Sequence, residues 1–296
     1  MHEVKIIRPA KVLFPQDGIT KADLIAYYQR IAGRILPFLE ERPLVVQRYP
    51  DGIGRPGFIQ KTAGPYYPAW VRKVTVPKIG GAVKHVVCDN LDTLTYLANQ
   101  ACIALHTWLS RVENLNGPDQ MIFDFDPSRP NDLAGVIGGA LALKDELDDL
   151  GLPAYVRTTG SRGVHVIVPL DGEADFDFVR AFARRLASTI VNRDSTRYTL
   201  EIHKEKRRGR VFIDVNRNAY AQSAIATYSV RALPRAPVAI PVHWNELRDS
   251  RFRPDAFTIR NVFDRLDRIE DPWQQFWRES VSLESATRKL ENLQAS

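Results

Sequence analysis

Asp124 and Asp126, one pleat apart in Met121-Ile122-Phe123-Asp124-Phe125-Asp126-Pro127, are where this sequence could do chemistry. The alternation has a period of two. In a strand it sets Met121, Phe123 and Phe125 on one face and Ile122, Asp124 and Asp126 on the other. Two carboxylates so close repel each other, and burying either one uncompensated costs roughly several kcal/mol. A divalent cation such as Mg²⁺ or Mn²⁺, which prefers carboxylate oxygens, relieves both problems. An exposed edge strand whose acids meet water is the competing reading.

Two more stretches widen the constellation. Val211-Phe212-Ile213-Asp214-Val215 reads as a strand with its acid on the face opposite Val211, Ile213 and Val215. In residues 164–170, Val164, Val166 and Val168 share one face, and His165 points to the other with Ile167. If the three strands are neighbours in one sheet, Asp124, Asp126, His165 and Asp214 converge. Three carboxylates meet the needs of a two-metal site, in which one ion activates a hydroxyl and the other steadies a leaving phosphate oxygen. The turn Thr159-Gly160-Ser161-Arg162-Gly163 adds hydroxyls, a cation and two glycines, so that backbone N–H groups can approach phosphates closely. Most turns with glycines are only hairpins.

The elements that must position these residues are legible along the chain. Thr20-Lys21-Ala22-Asp23 predicts a helix start with Thr20 as cap, followed by Leu24, Tyr28, Ile31 and Ile35 and an end near Pro37. Residues 44–49 and 84–88 read as strands. Asn90 or Asp92 is expected to cap a helix through Leu94, Leu97, Ala101, Leu105 and Trp108, with His106 late in it. Helices are predicted from Asn131 to Leu150, stopped by Gly151-Leu152-Pro153, and from about Asp175 to Val191. The hairpin 154–158/164–170 lies between them. Residues 244–296 are expected to be charged and helical. From Gly54 to Pro77, Phe58, Tyr66, Tyr67 and Trp70 are interleaved with Lys61, Arg72 and Lys73, a mixture that stacks bases and holds phosphates or simply packs.

Charge is unevenly distributed. Residues 1–90 carry 14 Lys/Arg against 7 Asp/Glu, and residues 191–240 carry 10 against 4, but residues 91–190 carry 8 against 14. Basic segments bracketing an acidic one suit a polyanion groove beside a metal site. No apolar run approaches the ~20 residues of a membrane helix. The N-terminus lacks a signal-peptide layout, and Cys88 and Cys102 form no CxxC pair, so a reducing cytoplasm is expected.

In order and spacing, FDFDP, TTGSRGVHVIVPL, VFIDVNRN and IATYSVRALP resemble the polymerase domain of bacterial DNA ligase D. That domain belongs to the archaeo-eukaryotic primase superfamily and serves non-homologous end joining. The likeness runs from Lys11-Val12-Leu13-Phe14-Pro15 to His243-Trp244. It implies an α/β fold of primase-polymerase type, with a central, mostly antiparallel sheet flanked by helices. It also implies that Asp124, Asp126 and Asp214 ligate two divalent ions, Mn²⁺ or Mg²⁺. His106, Thr159, Ser161, Arg162, His165, Ser223 and Arg231 would hold the incoming nucleotide. Lys11, Lys21, Arg48, Phe58 and Lys61 would meet DNA around a 5′-phosphate. Arg162 stands where relatives usually have Lys, Thr159 where Ser is common, Gln47 where Lys is frequent, and Ile59 where a second aromatic is frequent.

The expectation is a DNA-dependent nucleotidyltransferase that extends primer 3′ ends and fills gaps with NTPs or dNTPs during double-strand-break repair. A catalytically inactive DNA-end-binding module and a two-metal phosphodiesterase are the alternatives. One domain is expected over 1–296, with an N-terminal DNA-end-binding portion (1–115), a catalytic core (116–245) and a C-terminal helical extension (246–296). The chain begins with Met and has no ligase motif, so Ku and a separate DNA ligase are expected as partners in trans, in a nucleoid-associated cytoplasmic protein without a membrane partner.

Overall fold

The Gln120–Asp126 strand lies third in a six-stranded sheet in the computed structural model, which describes residues 2–78, 80–129 and 132–295. The order is Tyr198–Thr199, Val211–Asp214, Gln120–Asp126, Val164–Pro169, Tyr155–Thr158, Pro241–Val242. Every neighbouring pair is antiparallel except the first, which is parallel. The mixed α/β architecture with a mostly antiparallel central sheet is thus as expected. By Cα proximity the chain divides into two compact units. One comprises residues 109–222, 241–254 and 269–296, and the other 1–108, 223–240 and 255–268.

In the first unit, period-two patterning decides which face of the sheet meets the core. Met121, Phe123, Phe125, Val164, Val166, Val168 and Ile213 are at most 1% exposed. Burying each contributes roughly 1.5–3 kcal/mol, enough to fix the strand register against a one-residue slip. The helices Leu133–Leu150 and Phe176–Arg193 cover this unit's core with Val136, Leu143 and Leu147 from one and Val179, Phe182 and Leu186 from the other. Gly139 lets the first helix approach: a Cβ there would come within 2.8 Å of the Phe125 ring. Its predicted start at Asn131 lies outside the described residues. Asp132 caps it by accepting the Gly135 N–H at 2.9 Å, and Gly151, at φ +75°, ends it. Asp175 caps the second through the Phe178 N–H at 2.8 Å.

The other unit holds a four-stranded sheet in the order Ala224–Ile225, Cys102–Thr107, Leu44–Arg48, Phe58–Gln60. The Lys21–Ile35 helix begins with the expected capping box between Thr20 and Asp23 and buries Leu24, Tyr28, Ile31 and Ile35. The continuous helix expected from 90 to 108 does not form. It runs Leu91–Asn99, the chain turns at Ala101 (φ +57°), and Cys102–Thr107 is a strand. Cys102, Ile103, Ala104 and Leu105 are all 0% exposed, so the strand reads as an unbroken apolar run, whose spacing matches a helix as well. His106 therefore sits on a strand.

The tail is less helical than expected. Among its described residues, helix is confined to Trp244–Arg248 (3₁₀), Val262–Leu266 and Glu284–Ala295. Pro254 and Pro272 interrupt the rest. No helix among the described residues is long and apolar enough to cross a membrane.

Candidate active site

The polar face of the six-stranded sheet carries one row of side chains across four strands. Asp124 is register partner to Asp214 on one side and to His165 on the other, and His165 in turn faces Arg157. Asp126 follows one pleat on, opposite Phe212. Alternation dictates this composition: on the three strands of Asp214, Asp124 and His165, the residues that flank the row are the valines, phenylalanines and isoleucine of the apolar face.

Each carboxylate has its own partner. Asp126 Oδ1 lies 3.2 Å from Arg162 Nη2, and its Oδ2 lies 3.6 Å from Arg207 Nη1. Asp214 accepts the Asn216 N–H at 2.8 Å and Asn216 Nδ2 at 3.0 Å, with Arg217 Nε at 3.6 Å. Asp124 Oδ1 is 3.4 Å from His165 Nε2. Burial, and then the charge of Asp124, raises the pKa of Asp126; Arg162, Arg207 and Lys204 oppose that shift.

The histidine is held in one tautomer. Arg157 Nη2 approaches His165 Nδ1 at 3.0 Å and Nε at 3.3 Å. A guanidinium only donates, so Nδ1 accepts and the ring proton sits on Nε2, directed at Asp124. Burial lowers the His165 pKa and Asp124 only partly restores it, so the Nε2–Asp124 contact at neutral pH is a neutral donor to a carboxylate.

The glycine turn closes against this face. Gly163 has no room for a side chain, since a Cβ would come within 2.1 Å of the Phe125 carbonyl oxygen. Gly160 takes φ +64°. The buried Thr159 hydroxyl donates to the Gly163 carbonyl at 3.0 Å, which commits it to the turn. Ser161 and the exposed Arg162 are left at the tip.

Residues 20–273 match the family described as LigD, primase-polymerase domain. The chain belongs to that family. It is 30% identical over 90% of its length to the bifunctional non-homologous end joining protein LigD of Bacillus subtilis, and 32% identical over 91% to the multifunctional LigD DNA repair protein of Mycobacterium tuberculosis. It spans 43% and 36% of those two proteins. The polymerase domain of M. tuberculosis ligase D, solved in complex with DNA, superposes with a TM-score of 0.88 at 28% identity, over 94% of this chain and 99% of that one.

The remaining candidate residues of this LigD-type chain lie in the other unit. His106 pairs in register with Val45 and with Ile225, two residues beyond Ser223, and is half-buried. The Arg231 N–H donates to the Pro237 carbonyl at 2.7 Å. Lys11 pairs with Asp51 at 2.6 Å, and the buried Lys21 ammonium donates to the Ile7 carbonyl at 2.7 Å. Burial lowers the Lys21 pKa, and the charges of Lys11, Arg8 and Arg48 lower it further, so these cations share one field. Arg48 donates to the Gln100 carbonyl at 3.0 Å, Gln100 Oε1 at 3.1 Å, Gln60 Oε1 at 3.0 Å and the Tyr66 hydroxyl at 2.5 Å. Phe58, 48% exposed, lies 5.4 Å from its guanidinium, and Lys61 is exposed nearby in sequence.

The sequence reading missed Arg157, Arg207, Asn216 and Arg217. Arg157 was within reach, since it shares the period-two face with Tyr155 opposite Val156. Arg207 was not: within Lys204–Arg210 nothing distinguishes it, yet it alone of that run is buried. It stacks 3.9 Å over Phe212 and donates to the Glu201 and Ile202 carbonyls.

As the side chains stand, no three His, Cys, Asp or Glu among the described residues are gathered closely enough to hold a metal ion. The carboxylates are turned to their separate partners. Their chemistry suits a divalent cation all the same: the donors are oxygens, two of them face each other across one register step, and the third is a pleat away. A cation there would take over the neutralisation that Arg162, Arg207 and Arg217 now provide.

Proposed function

We propose that this chain is a DNA-directed nucleotidyltransferase that extends primer 3′ ends and fills gaps with nucleoside triphosphates in the repair of double-strand breaks by end joining. The observation that carries the reading is the row Asp214–Asp124–His165, with Asp126 beside it, on one face of a sheet in a LigD polymerase-domain fold. Asp124, Asp126 and Asp214 would hold two divalent ions, Mg²⁺ or Mn²⁺. Such ions, when bound, supply Lewis-acid activation of a 3′-hydroxyl and charge stabilisation for departing pyrophosphate.

The side chains contribute the rest. Arg162, exposed at the turn tip and held to Asp126 by an ion pair of the kind usually worth only ~0–1 kcal/mol, is free to swing to a triphosphate. Ser161 and the backbone of the turn offer further donors to phosphate. His165, locked by Arg157, presents a fixed N–H and keeps Asp124 oriented. His106, Ser223 and Arg231 complete the nucleotide contacts in this reading. Lys11, Lys21, Arg48, Phe58 and Lys61 engage a 5′-phosphorylated end, and Ku with a DNA ligase are the protein partners.

Primer extension on gapped DNA, run with NTPs and with dNTPs, tests the proposal. Asp126→Ala is expected to lower extension by at least about 10²-fold while DNA binding persists. Undiminished extension by that variant would sink the assignment.

A further inference from the structure

The unit with the six-stranded sheet has a second charged feature, a cleft of about 720 Å³ lined by Arg129, Arg197, Arg208 and Arg210 together with Asp132 and Asp194. Both acids accept hydrogen bonds from residues two or three positions on, which orient them. Asp132 accepts the Gly135 N–H at 2.9 Å, and Asp194 accepts the Thr196 hydroxyl at 2.7 Å and the Arg197 N–H at 3.1 Å. Four guanidinium groups therefore line the cleft against two carboxylates, a net excess of positive charge.

The basic walls are organised. Arg210 donates to the Arg207, Ser195 and Lys206 carbonyls at 2.9–3.3 Å, which fixes its position without neutralising it. Arg129 packs against Gly209, where a Cβ would approach its Nε to 2.5 Å. Arg208 is held at φ +52°, a conformation that costs an L-residue on the order of 1 kcal/mol. The cleft also adjoins the acidic face along the chain. Arg129 is three residues past Asp126, and Arg208 follows Arg207, whose Nη1 lies 3.6 Å from Asp126 Oδ2.

We propose that this cleft binds the sugar–phosphate backbone of a nucleic-acid strand whose end reaches the acidic face. The inference rests on the polymerase reading and adds a strand-binding subsite to it. Arginines in excess of the carboxylates around them fork to phosphate oxygens. No aromatic ring is among the described lining residues, so the cleft grips backbone rather than bases. Its volume suits a run of chain better than one phosphate group.

The test is fluorescence anisotropy of a labelled single-stranded oligonucleotide with the full chain across a salt series, beside calorimetric titration with a nucleoside triphosphate. Arg129→Ala/Arg197→Ala/Arg208→Ala is expected to weaken strand binding about tenfold or more and to flatten the log–log salt slope by about two, at ~0.7 for each phosphate that is no longer neutralised. Triphosphate binding stays unchanged. The corresponding triple Arg→Lys variant keeps the slope, and the single Arg197→Glu, on an exposed side chain, weakens strand binding even if the triple variant fails to fold. Wild-type strand affinity and slope in the alanine and glutamate variants would overturn the inference while leaving the polymerase reading intact. So would a loss of triphosphate affinity alone, which assigns the cleft to free phosphates. A wild-type chain that binds no strand overturns both.

Discussion

Crowded like charges meet opposite treatments in the two units. On the six-stranded sheet, where acids lie one pleat or one register step apart, Asp126 and Asp214 are paired with arginines, of which Arg162 and Arg217 are 48% and 42% exposed and lie at 3.2 and 3.6 Å. Around Lys21 it is cations that are crowded, and most of their partners are neutral: the Ile7 and Gln100 carbonyls, two glutamine amides and a tyrosine hydroxyl. Exposed ion pairs such as those of Arg162 and Arg217 contribute only ~0–1 kcal/mol, so the acidic face can exchange these two counter-ions cheaply. Neutral partners orient the cations of the second region and leave their charge available. In the proposed function, the first region trades cations and the second receives an anion.

The sharpest way to break that contrast is Asp214→Asn, which keeps an oxygen for the Asn216 N–H and removes the charge. Extension is expected to fall by at least about 10²-fold. The thermal midpoint should hold or rise, because the charge facing Asp124 is gone. A midpoint that falls with activity would mean that Asp214 serves the fold rather than an exchanging cation.

Arg48→Ala probes the other region with a smaller effect. Losing a fork of charge-assisted bonds to phosphate costs about 1.5–3 kcal/mol, roughly ten- to a hundredfold in affinity. The loss should appear on gapped duplexes bearing a 5′-phosphate and largely vanish on 5′-hydroxyl ends, in wild-type and Asp214→Asn backgrounds alike. Equal loss on both ends would reduce Arg48 to a packing role beside Phe58 and Tyr66.

These two regions also differ in how much of them the sequence discloses. The acidic face is local arithmetic: a period of two puts Asp124 and Asp126 together, His165 opposite the valines, and Asp214 opposite Ile213, whatever the rest of the chain does. That Gln120–Asp126 lies between the two other strands is non-local, and the alternation only allowed it. Arg207 was hidden because burial of a cation depends on neighbours distant in sequence, and composition makes an arginine in a basic run look solvated. The 90–108 error has the same root: Ile103 and Leu105 are covered on both sides of their strand, so no alternation remained to separate strand from helix. The Thr20/Asp23 capping box and the Gly151 stop, being contained within a few residues, were legible, whereas the His243/Glu246 capping box passed unread.

The smallest effect expected is a pH dependence at Lys21. Burial comes first among the causes that hold its ammonium below the usual 10.5, followed by the charges of Lys11, Arg8 and Arg48. A bound phosphate favours the charged form, so affinity for a 5′-phosphorylated end is complete below the lowered pKa and declines as pH rises through it, before 10.5 is reached. Lys21→Arg keeps the charge at every accessible pH and should flatten that decline, with a change of about severalfold in affinity at neutral pH from the altered donor geometry. Anisotropy of a 5′-phosphorylated gapped duplex between neutral and alkaline pH measures both. If the two proteins lose affinity in parallel, the titrating group is not Lys21, and the cation field around it acts only through its arginines.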